Sequence, residues 1–223
     1  MIGVQTKSTA SRLIGHALII VLCLLVVFPL YWMLVTSVRP SSDFFNISLF
    51  PTGVTLEHYQ DVLSNLPFGR LFLNTAAMAS ARTLAQVLTA LLAAYAFARW
   101  NFVGKRFLFA MFTFTWLVPQ QVTMIPNYVL VSQLGWLNAL AGLIVPSMVS
   151  TFALFLLFQQ IKGFPQDLFD AARVDGGNSW MILWQVLVPN LRAVIASLAI
   201  LQFISAWNDY FWPLLVSNRM ETG

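Results

Sequence analysis

Residues 159–190 read QQIKGFPQDLFDAARVDGGNSWMILWQVLVPN and form a polar stretch between two long apolar runs. Pro165 suits the first turn of a helix, where its missing N–H has no partner to lose, and acidic residues then follow at the positive end of the helix dipole. Asp175-Gly176-Gly177 ends this helix by turn chemistry. Ser179 is placed to cap a second short helix over 180–188. The stretch therefore predicts a helix, a glycine turn and a second helix.

The composition around this stretch indicates an integral membrane protein. Of the 223 residues, 59% are hydrophobic and only 9% are charged, whereas a soluble domain carries about 25% charged residues. This balance excludes a disordered chain, a disulfide scaffold and an ordinary soluble enzyme. A bilayer core needs about 20 apolar residues as helix. We therefore expect an all-α protein with one membrane domain and five transmembrane helices, which are 13–35, 71–97, 107–125, 140–158 and 193–216.

The positive charges predict which side of the membrane each connection faces. A cytoplasmic N-terminus, residues 1–12, places eight basic residues on or near the inner side and three outside. The inner group is Lys7, Arg12, Arg99, Lys105, Arg106, Lys162, Arg173 and Arg192, and the outer group is Arg39, Arg70 and Arg219. Residues 36–70 then form an external loop with a short amphipathic helix near 57–66, and 126–138 form an uncharged external connection. Residues 159–190 are the one long cytoplasmic loop, and 217–223 form an external stub.

The cytoplasmic loop has two possible physical uses. It is either an amphipathic linker on the membrane surface or a rigid element that docks in a groove of a soluble partner. Ala171 and Ala172 allow close approach of another backbone, and Gly176 allows a sharp turn. The local sequence alone leaves both uses open.

The spacing within the loop is more specific than its composition. Asp170-Ala171-Ala172 is followed after three residues by Gly176, then after nine by Val186, then by Val188-Pro189. This pattern resembles the EAA motif of ABC-importer permeases, which reads E-A-A, three residues, G, nine residues, I, one residue, L-P. Aspartate replaces the usual glutamate, and valines replace the isoleucine and the leucine.

Further stretches resemble the carbohydrate-type (MalG-like) branch of the binding-protein-dependent transport permeases. The run 94–99, AYAFAR, is similar to the end of that branch's second span, and 207–214, WNDYFWPL, is similar to its fifth-span signature. The resemblance covers nearly the whole chain. Family members continue into a sixth helix and a cytoplasmic tail, so we expect five helices here with the sixth missing.

The resemblance implies a type I ABC-importer permease core in a prokaryotic inner membrane. It implies a second permease subunit in a heterodimer, two ATP-binding subunits, an extracytoplasmic solute-binding protein and surrounding membrane lipid, with no nucleic acid. It implies no catalysis and no cofactor on this chain, because ATP and Mg²⁺ belong to the partner ATPase. The sequence agrees, since it has no phosphate-binding G-x-x-x-x-G-K-[ST] and no cluster of metal ligands. The loop positions to which the resemblance assigns ATPase coupling are Asp170, Ala171, Ala172, Asp175, Gly176 and Pro189.

Polar side chains within the predicted spans are candidates for the translocation path. A charge at mid-membrane costs about 2.5–3.5 kcal/mol on insertion scales, so Arg82 should face the interior, either as a structural partner or as a solute-facing group. Aromatic rings with polar neighbours suit sugar binding, and they also suit an ordinary interfacial belt. Amides beside prolines either line a cavity or make only local hydrogen bonds. The candidates are Arg82, Gln120, Gln121, Asn127, Trp207, Asn208 and Asp209.

Three classes of function compete. A secondary transporter acting alone predicts paired intramembrane carboxylates or an internal inverted repeat, and only Asp209 lies within a predicted span. A membrane scaffold does not need the loop motif. We therefore predict a permease subunit of an ATP-driven importer for a sugar or sugar-like solute. The lack of a clear multi-arginine anion site favours a neutral sugar, and a glycerol-3-phosphate or glycerophosphodiester importer is the alternative.

Overall fold

The computed structural model describes residues 9–43, 48–51 and 53–217, and all regular secondary structure within them is helical. The chain divides into two compact units, residues 1–70 and 71–223. Each unit is described by itself below. The all-α fold that the composition predicts is confirmed.

The first unit contains α1 (Thr9–Ser37), a single 3₁₀ turn (Ser41–Asp43) and α2 (Glu57–Asn65). The part of α1 from Arg12 to Ser37 contains an 18-residue stretch with a mean hydropathy of 2.9 and is long enough to cross a membrane. Its apolar side chains are exposed on nearly all sides of the isolated chain, as expected for a helix that lies in lipid or against other membrane helices. The amphipathic helix predicted near 57–66 is confirmed as α2.

A buried arginine organises the segment that follows α1. Arg39 lies with its Nε 3.9 Å from Asp43 Oδ2 and donates from Nη2 to the carbonyl of Ser48 at 2.6 Å. Its guanidinium also lies 5.5 Å from the ring centroid of Trp32. The paired, hydrogen-bonded charge is thus a structural element of this unit.

The remaining helices begin with α3, which starts at Phe68 and ends at Arg99. The next are α4 (Lys105–Leu117), α5 (Gln120–Gln133), α6 (Leu140–Ile144, continued by a 3₁₀ turn over Val145–Ser147), α7 (Thr151–Lys162) and α8 (Gln166–Val174). A helical segment over Ser179–Asn190 follows, made of α9 (Ser179–Met181), a π-helical stretch (Ile182–Leu187) and α10 (Val188–Asn190). The last two are α11 (Arg192–Trp207) and α12 (Phe211–Val216).

The span predicted over 107–125 is bent. α4 and α5 meet at 103°, because Pro119 has no N–H to donate and Val118 before it is extended (φ −80°, ψ 119°). Residues 126–138, predicted as an uncharged external connection, are helical as far as Gln133, since α5 continues through Pro126.

The predicted spans 140–158 and 193–216 are also interrupted. α6 with its 3₁₀ turn meets α7 at 46°. α11 ends at Trp207, where Asn208 turns its side chain back and donates from Nδ2 to the carbonyl of Ile204 at 2.8 Å. Local side-chain hydrogen bonds of this kind compete with helix continuation. By length and composition, two unbroken helices among the described residues could cross a membrane, or up to five spans if each of three bent pairs counts as one.

The second helix of the loop begins one residue earlier than predicted. Asn178, not Ser179, is the capping residue, since its Oδ1 accepts a hydrogen bond from the N–H of Met181 at 2.8 Å. The helical segment then continues past Val188 to Asn190 through the π-helical stretch and joins α11 at an 80° bend.

The main core of the second unit joins the C-terminal half of α3 to α7, α8, the Ser179–Asn190 segment and α11. Ala94 and Ala153 are fully buried within it, and such small residues let helix backbones approach closely. A smaller cluster joins α5, α6 and α12 around Trp212, whose Nε1 donates to the carbonyl of Gly142 at 3.1 Å. A Cβ on Gly142 would lie only 2.3 Å from the carbonyl oxygen of Trp136, so this position requires glycine.

Candidate functional site: the coupling loop and a polar cavity

Two adjacent glycines close the turn after α8, each for a different reason. Gly176 has φ +83°, which is a left-handed conformation that favours glycine. Gly177 donates to the carbonyl of Ala172 at 2.8 Å, and Gly176 donates to that of Arg173 at 3.0 Å. This pair of bonds is the Schellman arrangement for ending a helix. A Cβ on Gly177 would lie 2.6 Å from the Ala172 carbonyl oxygen, so the close approach in this turn excludes other residues there.

α8 is held to the core by one aromatic anchor. Phe169 is 1% exposed and packs edge-on against Phe164, with ring centroids 5.3 Å apart. On its other side, the guanidinium carbon of Arg99 lies 3.7 Å from the Phe169 ring centroid. A cation at this distance from an aromatic ring is attracted to it. The C-terminus of α3 thus holds α8 through Phe169.

Two further contacts connect the end of α3 to the loop. Arg99 donates from Nη1 to Gln166 Oε1 at 2.7 Å, and Gln166 in turn donates to Asp170 Oδ1 at 3.1 Å. Tyr95 donates its hydroxyl to the carbonyl of Ser179 at 3.0 Å. The stretch 94–99, which resembles the end of the second span of carbohydrate-type permeases, therefore contacts and supports both helices of the loop.

The outer surface of α8 is exposed and partly apolar. Val174 is 88% exposed, and Leu168 and Ala171 are also exposed. Asp170 lies at this surface and forms an ion pair with Arg173 at 3.6 Å, a contact that contributes little because both side chains face solvent. A firmly held helix with an exposed apolar surface and an accessible carboxylate suits docking in a groove. The six predicted coupling residues all lie on α8, its turn and the segment that follows, namely Asp170, Ala171, Ala172, Asp175, Gly176 and Pro189.

A second site is a cavity of about 300 Å³ in the second unit. Three helices contribute polar side chains to its wall at spacings that place them on one helix face. The lining residues are Arg82 and Gln86 of α3, Gln120, Thr123, Met124 and Asn127 of α5, Gln202 and Ser205 of α11, together with Pro146, Ser147, Val149, Ser150 and Trp212.

Side chains of α3 also hold the wall formed by the end of α6. The last carbonyls of a helix have no partner within it, and the break before α7 leaves those of Ser147 and Met148 free of helical bonds. Gln86 donates from Nε2 to the Ser147 carbonyl at 2.7 Å, and Thr89 donates to that of Met148 at 2.8 Å. The irregular backbone is therefore satisfied where it lines the cavity, as the membrane interior requires.

The charged residue of the cavity wall has an ionic partner. Arg82 Nη1 lies 2.6 Å from Asp209 Oδ2, and both side chains are largely buried. The other carboxylate oxygen of Asp209 accepts from the N–H of Trp212 at 3.3 Å, at the start of α12. The break between α11 and α12 thus places Asp209 beside α3. The two residues are 127 positions apart, so no local pattern in the sequence could have paired them.

The structure brings together some of the predicted path residues and separates others. Arg82, Gln120 and Asn127 line the cavity, and Asp209 is paired with Arg82. Gln121, Trp207 and Asn208 are not among the lining residues. Trp207 packs instead against Phe72 and Phe203, with ring centroids 5.3 and 5.7 Å apart.

Six polar lining residues were not predicted from the sequence; Ser147 and Ser150 lie at the break before α7, and the other four, on α3, α5 and α11, are Gln86, Thr123, Gln202 and Ser205. A signal for these four was available. Gln86 lies four residues after Arg82, Thr123 three after Gln120, and Ser205 three after Gln202. Polar residues that repeat at this spacing in an apolar helix indicate a polar face.

Comparison with known proteins agrees with this fold. The family model described as "Binding-protein-dependent transport system inner membrane component" matches residues 86–220. The sn-glycerol-3-phosphate transport system permease protein UgpE of Rhizobium meliloti (strain 1021) is 33% identical over 227 residues, which cover 97% of this chain and 80% of that protein. UgpE of Brucella abortus (strain 2308) is 31% identical over 95% of this chain and 79% of its own length.

A solved structure shares the fold. A chain of a bacterial ABC transporter involved in the import of the acidic polysaccharide alginate superposes with a TM-score of 0.86. The match covers 96% of this chain and 77% of that one, at 23% sequence identity.

The fold, the loop and these relatives define an integral inner-membrane permease subunit of an ABC importer. The chain belongs to the binding-protein-dependent transport system inner membrane component family. The family resemblance predicted from the loop motif and the two further stretches is confirmed.

Proposed function

We propose that the chain forms half of the translocation path of an ATP-driven solute importer and receives the motion of the ATPase through α8. The main support for this proposal is that α8 is fixed to the core on one side and exposed on the other. α8 is anchored by the buried Phe169 and ended by a two-glycine turn, while its outer surface is left exposed. A helix held this firmly transmits a push to α3 instead of absorbing it.

The chain itself performs no catalysis in this scheme. ATP and Mg²⁺ are bound by two ATP-binding subunits below the membrane, which places residues 159–190 and the N-terminus on the cytoplasmic side. A second permease subunit completes the path, and an extracytoplasmic binding protein delivers the solute. The family to which the chain belongs supports this division of roles.

Within the path, the cavity is the place where solute passes closest to this subunit. Arg82, Gln120 and Asn127 line it, and Asp209 fixes the position of Arg82. The amides donate and accept hydrogen bonds, so they suit the hydroxyl groups of a sugar-like solute.

Two solutes of this sugar-like class have separate support. The names of the similar UgpE proteins favour sn-glycerol-3-phosphate. The cavity favours a neutral sugar, because the charge of its arginine is balanced by Asp209. Both solutes carry hydroxyl groups, and a transport assay distinguishes them.

The experiment is purification of the tagged chain from its native membrane in mild detergent, followed by reconstitution in proteoliposomes with its binding protein. We expect an ATP-binding subunit and a second permease to co-purify, and uptake of radiolabelled sn-glycerol-3-phosphate or maltose to require ATP on the ATPase side. Recovery of the chain alone, with uptake that needs no ATP, would support a secondary transporter and contradict the proposal.

A further inference from the structure

We infer that the cavity between α3, α5 and α11 is a solute-binding site for hydroxyl oxygens, and that the Arg82–Asp209 pair makes it selective for an uncharged group over a phosphate. This inference rests on the proposed function and deepens it by naming what the site recognises. It also assigns a binding role to Gln202, which has none in the coupling scheme.

Two buried donors at the cavity lack a partner within the described part of the chain. Arg82 Nε and Gln202 Nε2 make no hydrogen bond there, although Arg82 is 7% and Gln202 8% exposed. A buried donor without an acceptor is destabilising, and native proteins contain few of them. Both residues line the same cavity, so these two unpaired donors lie on residues beside the space that a solute would fill.

The size and the walls of the cavity suit a small polyhydroxylated molecule. Its volume of about 300 Å³ lies at the lower end of the range of ligand pockets, which is roughly 300–1,000 Å³. Amides and hydroxyls from three helices supply both donors and acceptors. Trp212 completes the wall.

The ion pair determines which charge the site accepts. Arg82 is the one charged residue among those that line the cavity, and its Nη1 is bonded to Asp209 at 2.6 Å. Strong phosphate binding by arginine uses two parallel N–H donors and an uncompensated positive charge. Here Asp209 neutralises the charge and occupies one of the donors. A phosphate would therefore lose its hydration at this site without a net positive charge to compensate it, whereas a hydroxyl carries no charge that needs compensation.

The first test replaces Gln202 and uses a nearby amide as its control. In the purified complex without its binding protein, equilibrium dialysis measures the affinity for radiolabelled maltose and for sn-glycerol-3-phosphate. We expect Gln202→Leu to weaken binding of the preferred solute about tenfold, as the loss of one well-formed hydrogen bond implies. Gln121→Leu removes the same group from a position outside the lining and should leave the affinity within about twofold. Equal effects of the two variants would overturn the inference.

The second test changes the charge of the site. Asp209→Asn keeps an oxygen acceptor but leaves Arg82 uncompensated, so affinity for sn-glycerol-3-phosphate should rise relative to maltose by about tenfold. The double variant Arg82→Gln/Asp209→Asn is again neutral and should return the ratio to that of the wild type. An unchanged ratio in Asp209→Asn, or binding of neither probe by the wild-type complex, would overturn the inference.

The two proposals fail in different ways. If the wild-type complex imports solute with ATP but the variants of Gln202 and Asp209 behave like the Gln121 control, the binding site is wrong and the importer role stands. If the wild-type complex shows no ATP-dependent uptake, the proposed function fails and the binding site fails with it.

Discussion

At the residue scale, Arg82 and Asp209 illustrate how a buried charge is tolerated in a membrane protein. Either charge alone would cost free energy in the apolar interior. Together they form an ion pair, with Arg82 Nη1 2.6 Å from Asp209 Oδ2. Removal of one partner from such a pair costs about 3–5 kcal/mol because it leaves an uncompensated buried charge.

We therefore expect Arg82→Met and Asp209→Leu each to lower the unfolding free energy of the detergent-purified chain by about 3–5 kcal/mol. The double variant should lose less than the sum of the two, because it leaves no buried charge. A double-mutant cycle from denaturant unfolding measures the coupling. Strictly additive effects would show that the pair contributes no interaction energy.

Also at the residue scale, the geometry of the turn after α8 predicts that Gly177 cannot be replaced without strain. A Cβ on Gly177 would meet the Ala172 carbonyl oxygen at 2.6 Å, whereas on Gly163 its nearest neighbour is at an ordinary 3.5 Å. Gly177→Ala should therefore cost about 1–3 kcal/mol in local strain, and Gly163→Ala should be close to neutral. Limited proteolysis of the loop measures the difference. Equal protection in the two variants would mean that the turn is not constrained as described.

At the scale of elements, the end of α3 and α8 act as one structural unit. Arg99 joins them through the Phe169 ring and through Gln166. Arg99→Ala should remove a cation–π contact of about 0.5–2 kcal/mol and increase hydrogen exchange in α8. Arg106→Ala removes an equal charge from an exposed position and is the matched control. Unchanged exchange in the Arg99 variant would show that α8 is held by Phe169 packing alone.

The elements also show what the sequence can and cannot predict. α2, α8, the glycine turn and the helix after it were predictable, because their start and stop signals are local. Pro119 marks a place where a helix can open, but neither its position nor the mean hydropathy of the apolar run shows that the two parts meet at 103°. The partner of Arg82 was not predictable either, because a contact across 127 residues depends on how three helices pack. The polar faces of α3, α5 and α11 were predictable in part. The three- and four-residue spacing of their polar residues is visible in the sequence, but it indicates a common face only once the helices are known.

At the scale of the second unit, one helix connects both parts of the site. α3 carries Arg82 and Gln86 at the cavity and Tyr95 and Arg99 at the loop. From Arg82 to Tyr95 is roughly 20 Å of continuous helix. In the proposed function, a displacement of α8 by an ATPase would reach the cavity through a rigid element with contacts at both ends, which is the physical basis that coupling between distant sites requires.

We propose above that the exposed surface of α8 and its turn couple ATP hydrolysis to transport. The most direct measurement is the ratio of solute taken up to ATP hydrolysed by the reconstituted complex, in Gly176→Asp and in Gly163→Asp as a control of equal charge in the same loop. Gly176 has φ +83° and open space around it, a conformation that aspartate tolerates better than most residues, so the added carboxylate would project from the coupling turn. We predict that Gly176→Asp loses most of its uptake per ATP while Gly163→Asp stays near the wild-type ratio. A wild-type ratio in Gly176→Asp would contradict the coupling role assigned to this loop.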